Sequence, residues 1–383
     1  MTGATISVDD SRYRVDTFHA VSLEGNPLGS PVDRDVAIYL PPSYFDEPEE
    51  RYPVVYFLHG YSGNNKGFTV YSTAEQNPNL PVALIPSAIL EQIDVDRLPS
   101  YQKFDALVEK GHLPEMIFVQ PDGSLHQPNV FGMKSVTGSD LTKGSFYVNS
   151  PNTGNYEDYI LEVIQYVDTN YRTKAVRSSR IIAGGSMGGY GALRLGLRHP
   201  QLFHSAIGLS PADMDIGRHA LDYKLRIPIY NAMLGPEVTA NLGDSLWGDI
   251  LDTLDLIWSK ERTLLASIKR DEEGRVVSFS QEAGEYIRQG CLTHLLEKIG
   301  PSISSGTEYP FIYLSCAQDD EFGLAPGAEK LHLLLEKLGL LHTCDFYEDP
   351  KAKLTPHILG IAYQVIPSLQ YCLLQAAHEE ADG

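Results

Sequence analysis

A short glycine-rich segment, Gly184-Gly185-Ser186-Met187-Gly188, holds the residue best placed for covalent chemistry. A serine hydroxyl is a poor nucleophile at neutral pH, so it needs a sharp turn that exposes Oγ, a nearby base and N–H donors for the oxyanion. The strand-like run Ile181–Ala183 precedes this segment and a helical pattern follows it. A G-x-S-x-G turn requires this context, so we predict Ser186 as the nucleophile and the Met187 N–H as one oxyanion donor.

The base should follow Ser186 in the chain, in a loop after a late strand. His357 lies after the last predicted strand, at the head of the closing helix. His332 lies within a leucine-rich helix, His342 opens a strand and His294 lies in a helical insertion, so we interpret these three as core or surface histidines. We therefore predict His357 as the base.

Two adjacent carboxylates, Asp319 and Asp320, directly follow the strand that comes before the last one. Either could reach His357 and orient its imidazole, and one of them could instead cap a helix N-terminus. We favour Asp320 as the acid and keep Asp319 as the alternative.

A second oxyanion donor should come from the loop after an early buried strand. The segment His59-Gly60-Tyr61-Ser62-Gly63-Asn64 occupies that position, and its glycines let the backbone face a substrate. We predict the Tyr61 N–H as this donor, with the Gly60 N–H as second choice.

The elements that hold these residues alternate between strands and helices. The predicted strands are Val32–Leu40, Tyr52–Leu58, Met116–Gln120, Ser179–Ala183, His204–Leu209, Phe311–Cys316 and Thr343–Tyr347. The predicted helices cover Tyr159–Val167, Tyr190–Leu197, Leu324–Leu338 and about His357–Ala376. Continuous apolar runs are typical of strands buried on both faces, and this order predicts an α/β fold with a mostly parallel, doubly wound sheet.

The alternation lapses over residues 211–305, which we interpret as a helical cap inserted into a catalytic core formed by residues 1–210 and 306–383. At 383 residues, the chain exceeds the length at which a single core usually stops growing, about 250 to 300 residues. An apolar stripe at helical spacing runs through the cap: Trp247, Ile250, Leu251, Leu254, Ile257 and Trp258. The stripe either packs on the core or roofs the active site.

The composition excludes several classes of protein. Hydrophobic residues make up 43% and charged residues 21%, as in globular domains, and a net charge of −20 argues against a nucleic-acid partner. The N-terminus carries no signal-peptide pattern and no run of about 18 apolar residues occurs, so we expect no membrane partner and a cytoplasmic location by default. The four cysteines lack metal-site spacing, and we expect free thiols, no metal and no cofactor.

Three segments carry a family resemblance: Tyr52–Gly60, Ser179–Leu193 and His199–Phe203. They resemble the putative-esterase family of α/β-hydrolases, which includes feruloyl and acetylxylan esterases, S-formylglutathione hydrolases, enterochelin esterases and mycolyltransferases. The resemblance spans roughly Arg34–Leu209 and Phe311–Leu374. It implies an α/β-hydrolase fold and a carboxylic-ester hydrolase with a Ser-Asp-His triad and no metal.

In that family the acid lies three residues after a glycine, in a G-x-x-D-x-F-like stretch. Ala317 replaces the glycine here, and counting from it gives Asp320. Segments Gly144–Ser150 and Tyr156–Tyr159 also resemble those that precede the nucleophile turn in bacterial members.

The predicted function is therefore hydrolysis of a small-molecule or carbohydrate-linked carboxylic ester through an acyl-enzyme. One alternative is an acyltransferase or thioesterase with the same triad, and another is a catalytically silent hydrolase fold that acts as a binding protein. Fold and triad leave open the acyl and alcohol groups of the substrate, and the sequence leaves open the oligomeric state.

Overall fold

An eight-stranded sheet forms the centre of the computed structural model. The structure describes residues 12–65, 93–128, 142–213, 250, 253–258, 269–270, 276–278, 288–353 and 355–382. Its strands are β1 (Tyr13–His19), β2 (Asp33–Tyr39), β3 (Val54–Leu58), β4 (Ile117–Pro121), β5 (Arg180–Gly185), β6 (Ser205–Leu209), β7 (Phe311–Ala317) and β8 (His342–Tyr347). Their spatial order is β1-β2-β4-β3-β5-β6-β7-β8. Only β2 runs antiparallel to its neighbours β1 and β4, so the prediction of a mostly parallel α/β sheet is confirmed.

Helices cover both faces of this sheet. They are α1 (Tyr101–Glu109), α2 (Tyr156–Asn170), α3 (Met187–Arg198), α4 (Leu292–Ser304), α5 (Ala325–Leu338) and α6 (Pro356–Asp382). Helices α2 to α5 share one buried core with one face of the sheet, and α1 and α6 share a second core with the other face. Val55 and Phe57 of β3 point into the second core, whereas Val54 and Tyr56 point into the first, which explains the unbroken apolar run.

Outside residues 211–305, two elements, β1 and α1, do not appear among the predicted ones. Strand β1 forms the edge of the sheet and its residues are exposed or half-buried, so it lacks the apolar pattern of a buried strand. Helix α1 begins after Ser100, whose Oγ accepts a hydrogen bond from the Lys103 N–H at 3.1 Å. Only Tyr101 and Phe104 of this helix are buried, which leaves a short apolar face.

The predicted cap lies largely outside the described residues, because residues 214–249, 251–252, 259–268, 271–275 and 279–287 are not described. These include Trp247 and Leu251 of the apolar stripe. Leu254 and Ile257 are buried in the same core as α3, and α4 packs against α3 and α5. Leu254, Ile257 and α4 therefore pack on the core, and the division at residues 211 and 305 stays a prediction.

Helix α6 is long and apolar enough, over Pro356–His378, to cross a membrane by length and composition alone. In the structure 61% of an apolar 18-residue stretch within this range is buried, and the helix packs against β5, β6 and β7. A helix that covers one face of a central sheet has the same composition.

Candidate active site

Ser186 occupies the sharp turn between β5 and α3. Its backbone has φ 57° and ψ −119°, a positive-φ conformation that is uncommon for a residue other than glycine. Backbone hydrogen bonds hold the turn: the Ser186 N–H donates to the Leu209 carbonyl at 2.8 Å, and the Ser186 carbonyl accepts from the N–H groups of Tyr190 and Ala212. The side chain is half-buried, so a strained backbone presents a partly accessible hydroxyl.

Glycines allow three backbone segments to meet at this turn. A Cβ on Gly188 would overlap the Leu58 carbonyl at the end of β3, and a Cβ on Gly184 would overlap the Gly188 carbonyl. Any side chain at either position would separate β3, β5 and α3. The glycine motif is thus required by close packing around Ser186.

The loops after β7 and before α6 bring Asp320 and His357 together. Asp320 Oδ2 lies 2.7 Å from His357 Nδ1, and the carboxylate is fully buried. Its other oxygen, Oδ1, accepts the N–H groups of Phe322 at 2.9 Å and Leu324 at 3.4 Å. Asp319 is exposed at the surface. Of the two adjacent candidates, Asp320 is therefore the one in contact with the imidazole.

The two members of this pair shift each other's pKa. Burial by itself would raise the pKa of Asp320 and lower that of His357. Their opposite charges and mutual hydrogen bond outweigh burial, so the pKa of Asp320 is lowered and that of His357 is raised. With Asp320 ionised, Nδ1 of His357 donates its proton to the carboxylate, and Nε2 is the basic atom.

Helix α6 carries His357 in its first turn and packs against the nucleophile turn. Ile361 lies one turn after His357, and its side chain occupies the space that a Cβ on Gly185 would need. Residues four apart lie on the same face of a helix, so His357 and Ile361 both lie on the face directed at the Ser186 turn.

Glu321 anchors the start of the same helix, a role that the sequence did not indicate. Its Oε2 accepts the backbone N–H of His357 at 2.6 Å. Burial and the neighbouring Asp320 carboxylate raise the pKa of Glu321 to about 7. Its charge therefore changes near neutral pH, directly beside the Asp320–His357 pair.

The loop after β3 lies against the nucleophile turn at Gly60. A Cβ built on Gly60 would lie 3.6 Å from the Gly185 carbonyl and from Ser186 Cβ. The Gly60 carbonyl accepts hydrogen bonds from His59 Nδ1 at 2.8 Å and from the Gly63 N–H at 3.0 Å. Because the peptide unit is planar and trans, fixing this carbonyl also fixes the Tyr61 N–H, which points to the opposite side.

A buried polar network around His59 contacts the loop after β3. His59 Nε2 accepts the Gly123 N–H at 2.9 Å, so the proton of this imidazole is on Nδ1, and burial lowers the pKa of His59 and keeps it neutral. Asp122 Oδ1 lies 3.8 Å from His59 Nε2 and 3.5 Å from the guanidinium of Arg34, which is almost fully buried. Sequence reasoning assigned no role to Arg34 or Asp122, because they are distant from His59 in the chain.

Residues 253–258 of the predicted cap reach the same loop. The Tyr61 hydroxyl lies within hydrogen-bond distance of Thr253 Oγ1, at 2.7 Å. The Phe146 ring lies 6.0 Å from the Tyr61 ring and 6.1 Å from the Trp258 ring, measured between centroids. The Ser150 hydroxyl donates to the Ile257 carbonyl at 2.7 Å. This part of the cap is therefore attached to the loop that carries the predicted oxyanion donor.

The strand order, the serine turn between β5 and α3, and the Asp–His pair beyond β7 and β8 define the α/β-hydrolase class. Residues 30–285, more than half of the chain, match the model of the family described as "Putative esterase". The chain belongs to this family. It is a carboxylic-ester hydrolase, as the resemblance implied.

Several solved structures are similar to this chain. A ferulic acid esterase is 19% identical with a TM-score of 0.50, over 94% of this chain and 97% of that chain. The S-formylglutathione hydrolase of Staphylococcus aureus is 16% identical with a TM-score of 0.48, over 94% and 98% of the two chains. The enterobactin esterase of Shigella flexneri is 12% identical with a TM-score of 0.47, over 95% of this chain and 59% of that chain.

Proposed function

We propose that the chain cleaves carboxylic esters through an acyl-enzyme on Ser186, with His357 as base and Asp320 as the acid that orients it. The N–H groups of Tyr61 and Met187 form the oxyanion hole in this proposal. The observation that carries it is the buried 2.7 Å contact between Asp320 and His357, on a helix that packs against the strained Ser186 turn.

In the proposed first step, His357 Nε2 takes the proton of Ser186 Oγ while Oγ attacks the ester carbonyl carbon. Asp320 remains ionised and stabilises the imidazolium. The carbonyl oxygen becomes negative and is bound by the two backbone N–H groups, which the His59–Gly60 hydrogen bond and the tight turn hold in place before the reaction. The tetrahedral intermediate expels the alcohol, which receives the proton from His357.

In the second step water takes the place of the alcohol. His357 removes a proton from the water, whose oxygen attacks the acyl carbon, and Ser186 leaves with that proton. An acyltransferase would use the same first step and a different acceptor in the second. The relatives named above include a ferulic acid esterase and an enterobactin esterase, so we propose a small ester as substrate.

We also propose that residues 211–305 form the cap that selects the substrate. The contact between Thr253 and Tyr61 supports this proposal, because it joins the cap to the oxyanion loop. The Ser186 turn and the Asp320–His357 pair recognise only the ester group itself, so selection between acyl groups requires other surfaces.

A fluorophosphonate probe and an ester panel test the proposed function. We expect one adduct per chain, mapped to Ser186 by mass spectrometry, and turnover of some p-nitrophenyl, feruloyl or acetyl-sugar esters. Competition with added alcohols or sugars separates hydrolysis from transfer, because product partitioning beyond mass action indicates an acyltransferase. Folded protein that forms no adduct would contradict the proposal and favour a binding protein.

The pH profile tests the roles of His357 and Glu321. The base works only when neutral and its pKa is raised, so kcat/KM should fall tenfold per pH unit below a midpoint above 6.5, the ordinary pKa of histidine. The Glu321 carboxylate contributes to raising the pKa of His357. We therefore expect Glu321→Gln to move the acidic midpoint down by up to about one unit, because a single nearby charge is removed.

Glutamine retains an oxygen that can accept a hydrogen bond from the His357 N–H. The plateau value of kcat/KM should therefore stay close to that of the wild type while the midpoint moves. Glu329→Gln, on the exposed side of α5, is the matched control and should leave the profile unchanged. A midpoint at the same pH in Glu321→Gln and the wild type would exclude this electrostatic coupling.

A further inference from the structure

Three side chains of metal-ligating type meet between α5 and β8, away from Ser186. They are His332 of α5 and His342 and Cys344 of β8, and one ligand atom from each lies within 4.8 Å of the other two. We propose that this cluster binds a divalent cation of borderline softness, with Zn²⁺ as the best match.

The register of the sheet separates this cluster from the proposed active site. Strands β7 and β8 are parallel, and His342 pairs with Ile312 near the beginning of β7. Asp320 follows the other end of β7. The cluster therefore lies toward the amino-terminal end of these strands, whereas Asp320 lies beyond their carboxyl end, and it takes no part in the proposed ester chemistry.

Local structure explains how the ligands converge. His342 and Cys344 are two residues apart on a strand, so their side chains point to the same face. Helix α5 packs on that face and brings His332 Nδ1 to 2.9 Å from His342 Nε2, with ring centroids 5.1 Å apart. All three residues are half-buried, so the cluster is held by packing and remains accessible to solvent.

A second hydrogen bond orients His342 as a ligand. Its Nδ1 lies 2.7 Å from the Leu340 carbonyl, which can only accept, so the Nδ1 atom carries the proton. Nε2 of His342 therefore presents its lone pair to His332. Metal-ligating histidines are usually oriented in this way, with the second ring nitrogen donating to a carbonyl or carboxylate.

The ordinary interpretation of this geometry is a hydrogen bond from His332 Nδ1–H to His342 Nε2. A cation can replace the shared proton if His332 changes tautomer, moving its proton from Nδ1 to Nε2. The proton stays on the His332 ring, and the carboxylate of Glu336, whose Oε1 lies 3.7 Å from this Nε2, would need a small movement to accept a hydrogen bond from the new N–H. Cys344 would bind as a thiolate and release its proton to solvent, so each bound ion releases one proton.

The donor set selects the class of cation. Two imidazole nitrogens and one thiolate suit Zn²⁺ and Co²⁺, whereas Mg²⁺ and Ca²⁺ prefer oxygen ligands. Three protein ligands leave a fourth tetrahedral position for water. A bound ion would fasten the edge strand β8 to α5 and stabilise the folded chain by mass action.

Co²⁺ is the probe for this site, because thiolate coordination gives an ultraviolet charge-transfer band and tetrahedral geometry gives intense visible bands. We expect both in the wild type with one ion per chain, displacement by Zn²⁺, and a higher Tm with Zn²⁺. Cys344→Ser should abolish the thiolate band, and His342→Gln should weaken Zn²⁺ binding by at least about 100-fold, since loss of a second-shell partner alone costs 10- to 100-fold.

His112→Gln, at an exposed histidine, is the matched control and should bind as the wild type does. The Tm of each variant without metal shows that it folds, and ester hydrolysis should be unchanged in all of them. A wild type with no thiolate band, or a band that persists in Cys344→Ser, would overturn the proposal.

Discussion

Replacement of Ser186 by alanine is expected to lower kcat for ester hydrolysis by about 10⁶-fold, the loss typical of a triad nucleophile. The change removes the only atom that forms the acyl bond in the proposed mechanism. The backbone bonds that hold the turn, from Ser186 to Leu209, Tyr190 and Ala212, involve no side-chain atom and are retained. Tm should therefore stay within a few degrees of the wild type, as measured by calorimetry beside stopped-flow kinetics.

Ser178→Ala, at a half-buried serine just before β5 and outside the predicted cap, provides the control and should leave kcat unchanged and Tm within a few degrees. Ester hydrolysis by Ser186→Ala within tenfold of the wild type would mean that another group is the nucleophile. A large fall in Tm would instead show that the loss of activity reports unfolding.

The second large effect is expected for Asp320→Asn, which should lower kcat by about 10⁴-fold. The Phe322 and Leu324 N–H groups require an oxygen acceptor, so the asparagine oxygen should face them and its NH₂ should face His357. Nδ1 of His357 must then accept, which places the imidazole proton on Nε2. In that tautomer Nε2 has no lone pair for the Ser186 proton.

Asp319→Asn provides the matched comparison, because the two residues are adjacent and only Asp320 is buried against His357. We expect a change in kcat of less than about threefold for Asp319→Asn, since the contribution of an exposed charge is small. Equal losses in the two variants would contradict the assignment of the acid.

Sequence patterns predicted the sheet well because most of its strands are buried on both faces and end in recognisable turns. Ser186 was identifiable for the same reason: its motif lies between such a strand and a helix. Asp320 was favoured over Asp319 from the sequence, and counting from Ala317 in the family resemblance supported that choice. Asp319 remained an alternative, because the burial of one side chain depends on the turn geometry after β7.

Roles that depend on contacts between residues far apart in the chain could not be predicted from the sequence. Arg34 of β2 and Asp122 of the loop after β4 lie beside His59, and Glu321 reaches the His357 N–H from a separate loop. The His332, His342 and Cys344 cluster has no metal-site spacing, because the packing of α5 on β8 supplies its third ligand.

The nucleophile and the base are attached to helices on opposite faces of the sheet. Ser186 directly precedes α3, which belongs to one core, and His357 lies in the first turn of the 27-residue α6, which belongs to the other. Local opening of α6 would remove the base while α3 and the Ser186 turn stay folded, since separate cooperative units can open independently. Faster amide exchange at the start of α6 than in α3 is therefore the expected sign that the base is lost before the whole chain unfolds.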